Sequence, residues 1–415
     1  MQTLQPARGT SDLLPGDKAR HNHVITTARQ VAETYGFQDM ATPIFEFTDV
    51  FRRPLGDASD VVSKETYSFT DRGETELTLR PENTASVMRA VISNGLTQTL
   101  PQRYFYAGPM FRYERPQKGR MRQFHQIGVE LIGPASALAD AEIISCGADL
   151  LAELGVLQDC QLHLNSLGDT ESRQAYRASL VAYLSRFEKE LSEDSQRRLH
   201  QNPLRILDSK DEGDRNIVAD APRLSDALND ASKAHFDLLC DALTKAGVSF
   251  LHDPLLVRGL DYYCHSAFEF ITDKLGAQGT LLGGGRYDGL SEMLGGPHLP
   301  AVGFAAGIER LALMVDAPAL PAPQIVMIVM DKALEADGFA IAHQLRLAGI
   351  KVEMPHSGNM AKKMKRADKS GASHVILLGS DEWASGQIQL KSLQTGEAEM
   401  VAITEIMPAV QSAIT

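Results

Sequence analysis

Residues 107–130 read AGPMFRYERPQKGRMRQFHQIGVE. The stretch packs Arg112, Arg115, Lys118, Arg120 and Arg122 into a short span, with Glu114 the one acid before Glu130. Apolar runs flank it, Tyr104-Phe105-Tyr106 before and Ile127-Gly128-Val129 after, while Pro116, Gln117-Lys118 and Gly119 break any strand in the middle. The pattern predicts strand, long basic loop, strand: a hairpin that presents cations to a polyanion. A solvated loop tip that happens to be basic is the plainer alternative.

The rest of the chain sharpens that contrast. Its 415 residues carry a formal net charge of -12, so the basic hairpin is a local exception. An acidic balance argues against a general nucleic-acid coat protein and leaves room for an enzyme with a focused basic surface. The length accommodates two or three domains. Cys146, Cys160, Cys240 and Cys264 are far apart and form no C-x-x-C pair, which points away from zinc and disulfides and towards a reducing compartment. Early charges (Arg8, Asp12, Asp17, Lys18) leave no signal peptide, and no apolar run approaches membrane-spanning length.

Upstream of the hairpin, Asp17 is placed to cap a helix running to Tyr35 and stopped by Gly36, followed by a strand-like Met40–Glu46 containing Pro43. Thr66–Phe69 and Glu76–Leu79 alternate about Asp71-Arg72-Gly73, a hairpin signal. A helix through Val87 and Met88 comes next, with Arg80-Pro81-Glu82-Asn83-Thr84 at its start. Glu82 and Thr84 read equally as pocket groups at a strand end or as an acid and a cap at a helix start.

Downstream, Asp140 is placed to open a helix closed by Gly155, and Leu162 and Leu164 mark a strand. From about 170 to 250, charged helical segments alternate with broken pieces, the texture of a helical insertion. Strand texture returns at Leu255–Tyr263 and Ala267–Ile271, and Gly283-Gly284-Gly285 allows a close approach or a bend. Ala301–Gly307 leads into a helix that begins with Glu309-Arg310. Pro318, Pro321 and Pro323 form a linker to an alternating α/β segment whose helix 360–369 carries Lys362, Lys363, Lys365, Arg366 and Lys369.

Glu82, Arg112, Glu130, Arg258 and Arg310 are the types needed to activate a carboxylate with ATP: cations for the phosphates, acids for an amino group. No G-x-x-x-x-G-K-[ST] loop is present. Phe111-Arg112-Tyr113-Glu114 with Arg122-Gln123-Phe124 resembles motif 2 of class II aminoacyl-tRNA synthetases, GFAAGIER at 303–310 resembles motif 3, and the Pro43 region resembles motif 1. LVRGLDYY at 256–263 and the loop ERPQKGRMRQFHQIGVE single out the histidyl-tRNA synthetase family, and the likeness spans essentially the whole chain.

That resemblance implies an α+β fold: a class II antiparallel sheet with flanking helices over 1–320, a helical insertion at about 170–250, and a C-terminal α/β anticodon-binding domain over 324–415. It implies a cytoplasmic homodimer, built partly through motif 1, that joins L-histidine to tRNA(His) through histidyl-adenylate. ATP is the co-substrate, with Mg²⁺ accompanying its phosphates and no metal ligand from the protein. Carried over by position, Arg112 contacts the α-phosphate and substrate carboxylate, and Arg258 is the catalytic cation. Phe124 and Arg310 sandwich adenine, Glu114 reads its amino group, and Arg120 holds the γ-phosphate. Glu82, Thr84 and Gln126 take the α-ammonium, Glu130 and Tyr263 the imidazole, with Tyr262 and Tyr287 in the same set. Arg115 and Gln117 face the tRNA acceptor end and its extra 5′ guanosine. Two positions depart from the family pattern. Asn83 replaces a glycine, where Asn tolerates a positive φ, and Cys264 replaces an asparagine beside Tyr263 as a neutral, unreactive neighbour. The competing readings are a non-catalytic, synthetase-like regulatory subunit of ATP phosphoribosyltransferase, and another class II enzyme such as one for proline or threonine.

Overall fold

A computed structural model describes residues 3–55, 65–116, 120–207, 209–257, 262–316, 318–319 and 322–414. Two compact units divide the chain, Met1–Pro318 and Ala319–Thr415.

The larger unit is organised on an eight-stranded sheet. Its middle strands, in spatial order, are Gln102–Phe111, Gln123–Ile132, Ala301–Gly307, Thr280–Arg286, Cys264–Ile271 and Gln161–Ser166, all antiparallel to their neighbours. Short parallel strands, Gln38–Asp39 and Leu251–His252, close the two edges. The basic stretch is therefore the connection of the sheet's longest hairpin, ten residues to a strand.

Strand periodicity divides the second hairpin strand into two faces. Ile127, Val129 and Leu131 enter one core with Val24 and Val31 of the helix Pro15–Thr34 and Ile143 and Leu150 of the helix Ala137–Glu153. Phe124, Gln126, Gly128 and Glu130 face the other way, where the sheet floor is open. Register explains the opening: one row across the sheet reads Tyr106, Gly128, Ala305, Gly283, Glu269, and the next reads Tyr104, Glu130, Gly303, Gly285, Ala267. Small residues occupy the centre of both rows, so polar side chains can stand at their ends.

A separate three-stranded sheet, Phe45–Phe47, Glu76–Leu79 and Tyr67–Thr70, has two opposite faces. Inward, Thr78 meets Thr48 at 2.9 Å and Ser68 at 2.7 Å, and Glu46 pairs with Arg89 at 2.5 Å. Outward stand Tyr67, Leu77 and Leu79 with Phe45 (47% exposed), Phe47 (64%) and Phe69 (45%). A run of helices extends from Thr170 to Lys245, and the last, Asp230–Lys245, buries Leu239 and Leu243 in the core behind the large sheet.

Several local expectations are corrected. Pro15 begins the first helix with no side-chain cap, so Asp17 sits within its first turn. The segment 40–46 is not one strand; pairing stops at Asp39 and resumes at Phe45. Ser136 caps the helix Ala137–Glu153 through the Leu138 N–H, and Asp140 is a fully buried partner of Arg286. Among the described residues of 255–263 there is no strand; the pairing begins at Cys264.

In the second unit the strand order is Val352–Glu353, Ile325–Val329, His374–Leu378, Gln387–Ser392, Ala398–Ala402. The first three are parallel and the last two antiparallel. The basic helix Met360–Lys369 is capped by Asn359, whose side chain accepts the Lys362 N–H.

Candidate functional site

A cavity of about 450 Å³ opens on the small-residue floor of the large sheet. Glu82, Thr84, Arg112, Glu114, Arg120, Phe124, Gln126, Tyr262, Tyr263 and Arg310 all line it. Residues scattered along most of the larger unit thus meet around one space. Glu130 and Tyr287 stand just behind its wall, both buried. Arg115 is exposed and does not line the cavity, and Arg258 and Gln117 lie outside the described residues. Val257 and Tyr262, the described residues nearest Arg258 on either side, both line it.

One end is built from acids and phenols. Glu130 Oε1 accepts the Thr84 hydroxyl at 2.7 Å and Tyr106 at 3.4 Å, and Oε2 accepts the Tyr287 hydroxyl. Burial pushes the Glu130 carboxyl up to about 8 in spite of these donors. Gly303 is required beside it, since a Cβ there would stand 2.0 Å from Glu130 Oε2. Glu82 is likewise raised by burial, partly offset by the backbone N–H groups of Thr84 and Ala85 at 2.6 and 3.1 Å. The Glu82 carboxylate, rather than the Thr84 hydroxyl, therefore accepts the first N–H groups of the helix Thr84–Ser93, whose N-cap position is Asn83, and it also lines the cavity. Tyr262, Tyr263 and Tyr287 pack edge-on or tilted, with centroids 4.8 to 6.1 Å apart. Among the described residues, Tyr262 Oη and Gln126 Oε1 are buried without a hydrogen-bond partner, polar atoms left for a ligand.

The other end is cationic. Arg112 Nε donates to the Pro81 carbonyl at 2.8 Å, and its guanidinium lies 5.3 Å from the Phe124 ring centre. Arg310 is half-buried rather than a surface charge, and its Nη1 donates to the Thr280 carbonyl at 2.8 Å. Burial, then Arg120 and Arg112, lower its affinity for its proton. Arg120 forms an ion pair with Glu114.

Asn83 corrects an expectation. Its φ is -118°, so no left-handed turn is needed. Its side-chain oxygen instead accepts Thr42 Oγ1 at 2.7 Å and Arg80 Nη1 at 3.2 Å, tying the segment before the helix to the Pro43 region. Burial pushes the Cys264 thiol up to about 12, which disfavours the reactive thiolate.

Glu269, which accepts Thr280 Oγ1 at 2.8 Å, Tyr106 and Arg205 of the insertion also line the cavity. No motif flagged them; only the strand register and the packing of the insertion bring them here.

Residues 9–311 match the family model described as histidyl-tRNA synthetase, and residues 324–413 match the anticodon binding domain. A histidine–tRNA ligase of Rhodospirillum rubrum is 56% identical over 404 residues, 97% of each chain. One from Gluconobacter oxydans is 54% identical over 407 residues, 98% of each. The apo S. aureus histidyl-tRNA synthetase structure superposes with a TM-score of 0.83 at 33% identity, covering 100% of both chains. A Bacillus halodurans structure titled ATP phosphoribosyltransferase regulatory subunit/histidyl-tRNA synthetase shares the fold, with a TM-score of 0.64 at 23% identity over 91% of this chain and 98% of that one.

Proposed function

The chain belongs to the histidyl-tRNA synthetase family, and from that premise we infer how the cavity on its large sheet serves both halves of the reaction. The protein is a histidine–tRNA ligase. A carboxylate oxygen of L-histidine attacks the α-phosphorus of ATP and pyrophosphate leaves; a 3′-terminal hydroxyl of tRNA(His) then attacks the histidyl carbonyl carbon, forming the ester and releasing AMP. The observation that carries this reading is the polarity of the cavity: buried acids and phenols on one side, and Arg112, Arg120 and Arg310 on the other.

Arg112 takes the α-phosphate and the substrate carboxylate, countering the charge that grows in the transition state. Phe124 and Arg310 clasp the adenine, Glu114 reads its amino group, and Arg120 holds the γ-phosphate. Because Glu114 and Arg120 are paired with each other, ATP must part them on entry. Mg²⁺ accompanies the phosphates. Arg258 is the catalytic cation, a role carried by the resemblance of the stretch 256–263 to the family's signature.

The α-ammonium is held by Glu82, Thr84 and the unpartnered Gln126 oxygen. Glu130, Tyr263, Tyr262 and Tyr287 surround the imidazole. A site that must satisfy these polar groups rejects a non-bonding analogue by roughly 10⁴-fold or more. Arg115 and Gln117 meet the acceptor end of the tRNA and its 5′ guanosine, and the C-terminal unit reads the anticodon.

A homodimer is supported by the outward face of the three-stranded sheet, where Phe45, Phe47 and Phe69 leave an apolar patch on the Pro43 side. No described helix is long and apolar enough to cross a membrane, and the described cysteines are free; we place the enzyme in the cytoplasm.

ATP–pyrophosphate exchange with each amino acid in turn tests the reading: histidine alone should support it. Arg258→Ala should abolish most exchange while tRNA still binds. Exchange driven by another amino acid, or none with any, would overturn the assignment; the second result would return the regulatory-subunit reading, which the ligase relatives do not favour.

A further inference from the structure

Three potential metal ligands converge at the edge of the cationic end. His21 comes from the helix Pro15–Thr34, His125 from the strand Gln123–Ile132 and Glu309 from the helix Ile308–Met314. One donor atom from each lies within 4.8 Å of the other two. His125 Nδ1 is 2.8 Å from Glu309 Oε1, and the His21 and His125 rings meet edge to face with centroids 5.5 Å apart. We propose that these side chains form a site for one transition-metal dication of the zinc class, beside the ATP cavity.

The donor set is chemically specific. Two imidazoles and a carboxylate, with a fourth position left for water, are a known zinc environment. Metal–ligand bonds of about 2.0–2.1 Å put tetrahedral ligand atoms about 3.3 Å apart. One donor pair here stands at 2.8 Å and every pair lies within 4.8 Å, a range that includes that separation. Imidazoles favour zinc, cobalt or nickel over magnesium, which separates this ion from the Mg²⁺ carried by ATP.

The carboxylate is also held in place. Both Glu309 oxygens accept the His125 backbone N–H, at 3.0 and 2.9 Å, the kind of outer support that orients a ligand. His21 is 4% exposed, and its burial favours the neutral imidazole that binds metals. An incoming ion would replace the direct contact between His125 Nδ1 and Glu309 Oε1.

The site has a consequence for the cavity. Glu309 lines it, and His125 and Glu309 directly adjoin Phe124 and Arg310 in the chain. A bound ion would tie the two elements that carry the adenine-clasping pair to the N-terminal helix.

The full chain, stripped with a chelator and titrated with Co²⁺ in a large excess of Mg²⁺, tests the proposal. One equivalent should bind with the strong visible absorption of four- or five-coordinate cobalt. His21→Phe fills the same space without a donor and should weaken Co²⁺ binding by about 10-fold or more, while histidine-dependent exchange persists. His21→Asn serves as the second variant should the phenyl ring disturb packing. Cobalt bound only with the pale spectrum of a six-coordinate ion, or bound as tightly by both His21 variants as by the unaltered chain, would overturn the proposal.

Discussion

Glu130→Gln isolates the energetic cost of the buried carboxylate behind the site. The group is 1% exposed, receives three hydroxyls, and is pushed from an ordinary 4.5 to about 8, chiefly by burial. Between those two values the folded chain keeps a proton that the unfolded chain has released. Stability must therefore fall as pH rises from about 4.5 to about 8 and level off above, the reverse of a salt-bridged acid. At about 1.4 kcal/mol per pH unit, that interval is worth about 5 kcal/mol. Glutamine matches the protonated acid in size and hydrogen bonding and does not titrate. The variant should accordingly match the parent to within about 1 kcal/mol near pH 5 and exceed it by several kcal/mol near pH 9. Urea unfolding of both full-length proteins across that range, followed through the transition of the larger unit, measures the difference. A gap that does not change with pH, or a variant less stable than the parent at pH 9, would show that Glu130 is ionised at little cost and refute the reasoning. Histidine-dependent exchange should meanwhile drop sharply in the variant, because an amide, unlike the carboxyl, cannot release a proton when the imidazole docks against it.

Asn83→Gly deletes an acceptor for Thr42 and Arg80 without relieving any backbone strain, and should cost about 1–3 kcal/mol in thermal or urea unfolding; a neutral or stabilising result would show that φ, not the side chain, matters there. Gly303→Ala drives a methyl into Glu130, and Val129 O lies 2.4 Å from the same point, so adenylate formation should be nearly lost and stability should fall by about 1–3 kcal/mol, checked by exchange and melting on one sample. Cys264 should resist iodoacetamide in the folded protein near pH 7 and react once unfolded, as peptide mass mapping would reveal. Asp214, buried and accepting Ser192, Ser195 and Ser209, should be the hinge-pin of the insertion: Asp214→Ala should lower its protection in hydrogen exchange by a few kcal/mol while the large sheet stays protected.

Much of the architecture was readable from local chemistry. The long hairpin declared itself because two apolar runs bracket Pro116, Gly119 and a knot of arginines, and no packed strand can carry that middle. The C-terminal strands Ile325–Val329 and His374–Leu378 are continuous apolar runs, as buried parallel strands are, and were legible for that reason. The two later strands, Gln387–Ser392 and Ala398–Ala402, were not, because partly exposed antiparallel strands mix polar and apolar residues. The segment 255–263 misled in the opposite sense: Leu, Val and Tyr have strand propensity, yet Tyr262 and Tyr263 serve the cavity instead of a ladder.

The site divides the same way. Sequence by itself determined which side chains were chemically able to serve, and the resemblance of motifs at 111–124, 256–263 and 303–310 determined the family, since those signatures are contiguous. Convergence was decided only by the tertiary structure, because strand order and register place Glu269 and Gly283 in a row with Tyr106 although the chain holds them far apart. The same is true of His21, His125 and Glu309, which no ligand spacing could flag. The raised carboxyl of Glu130 and the bonded, negative-φ Asn83 belong to this second class as well. Burial and hydrogen-bond geometry are properties of the surroundings, and the surroundings exist only once the chain has folded.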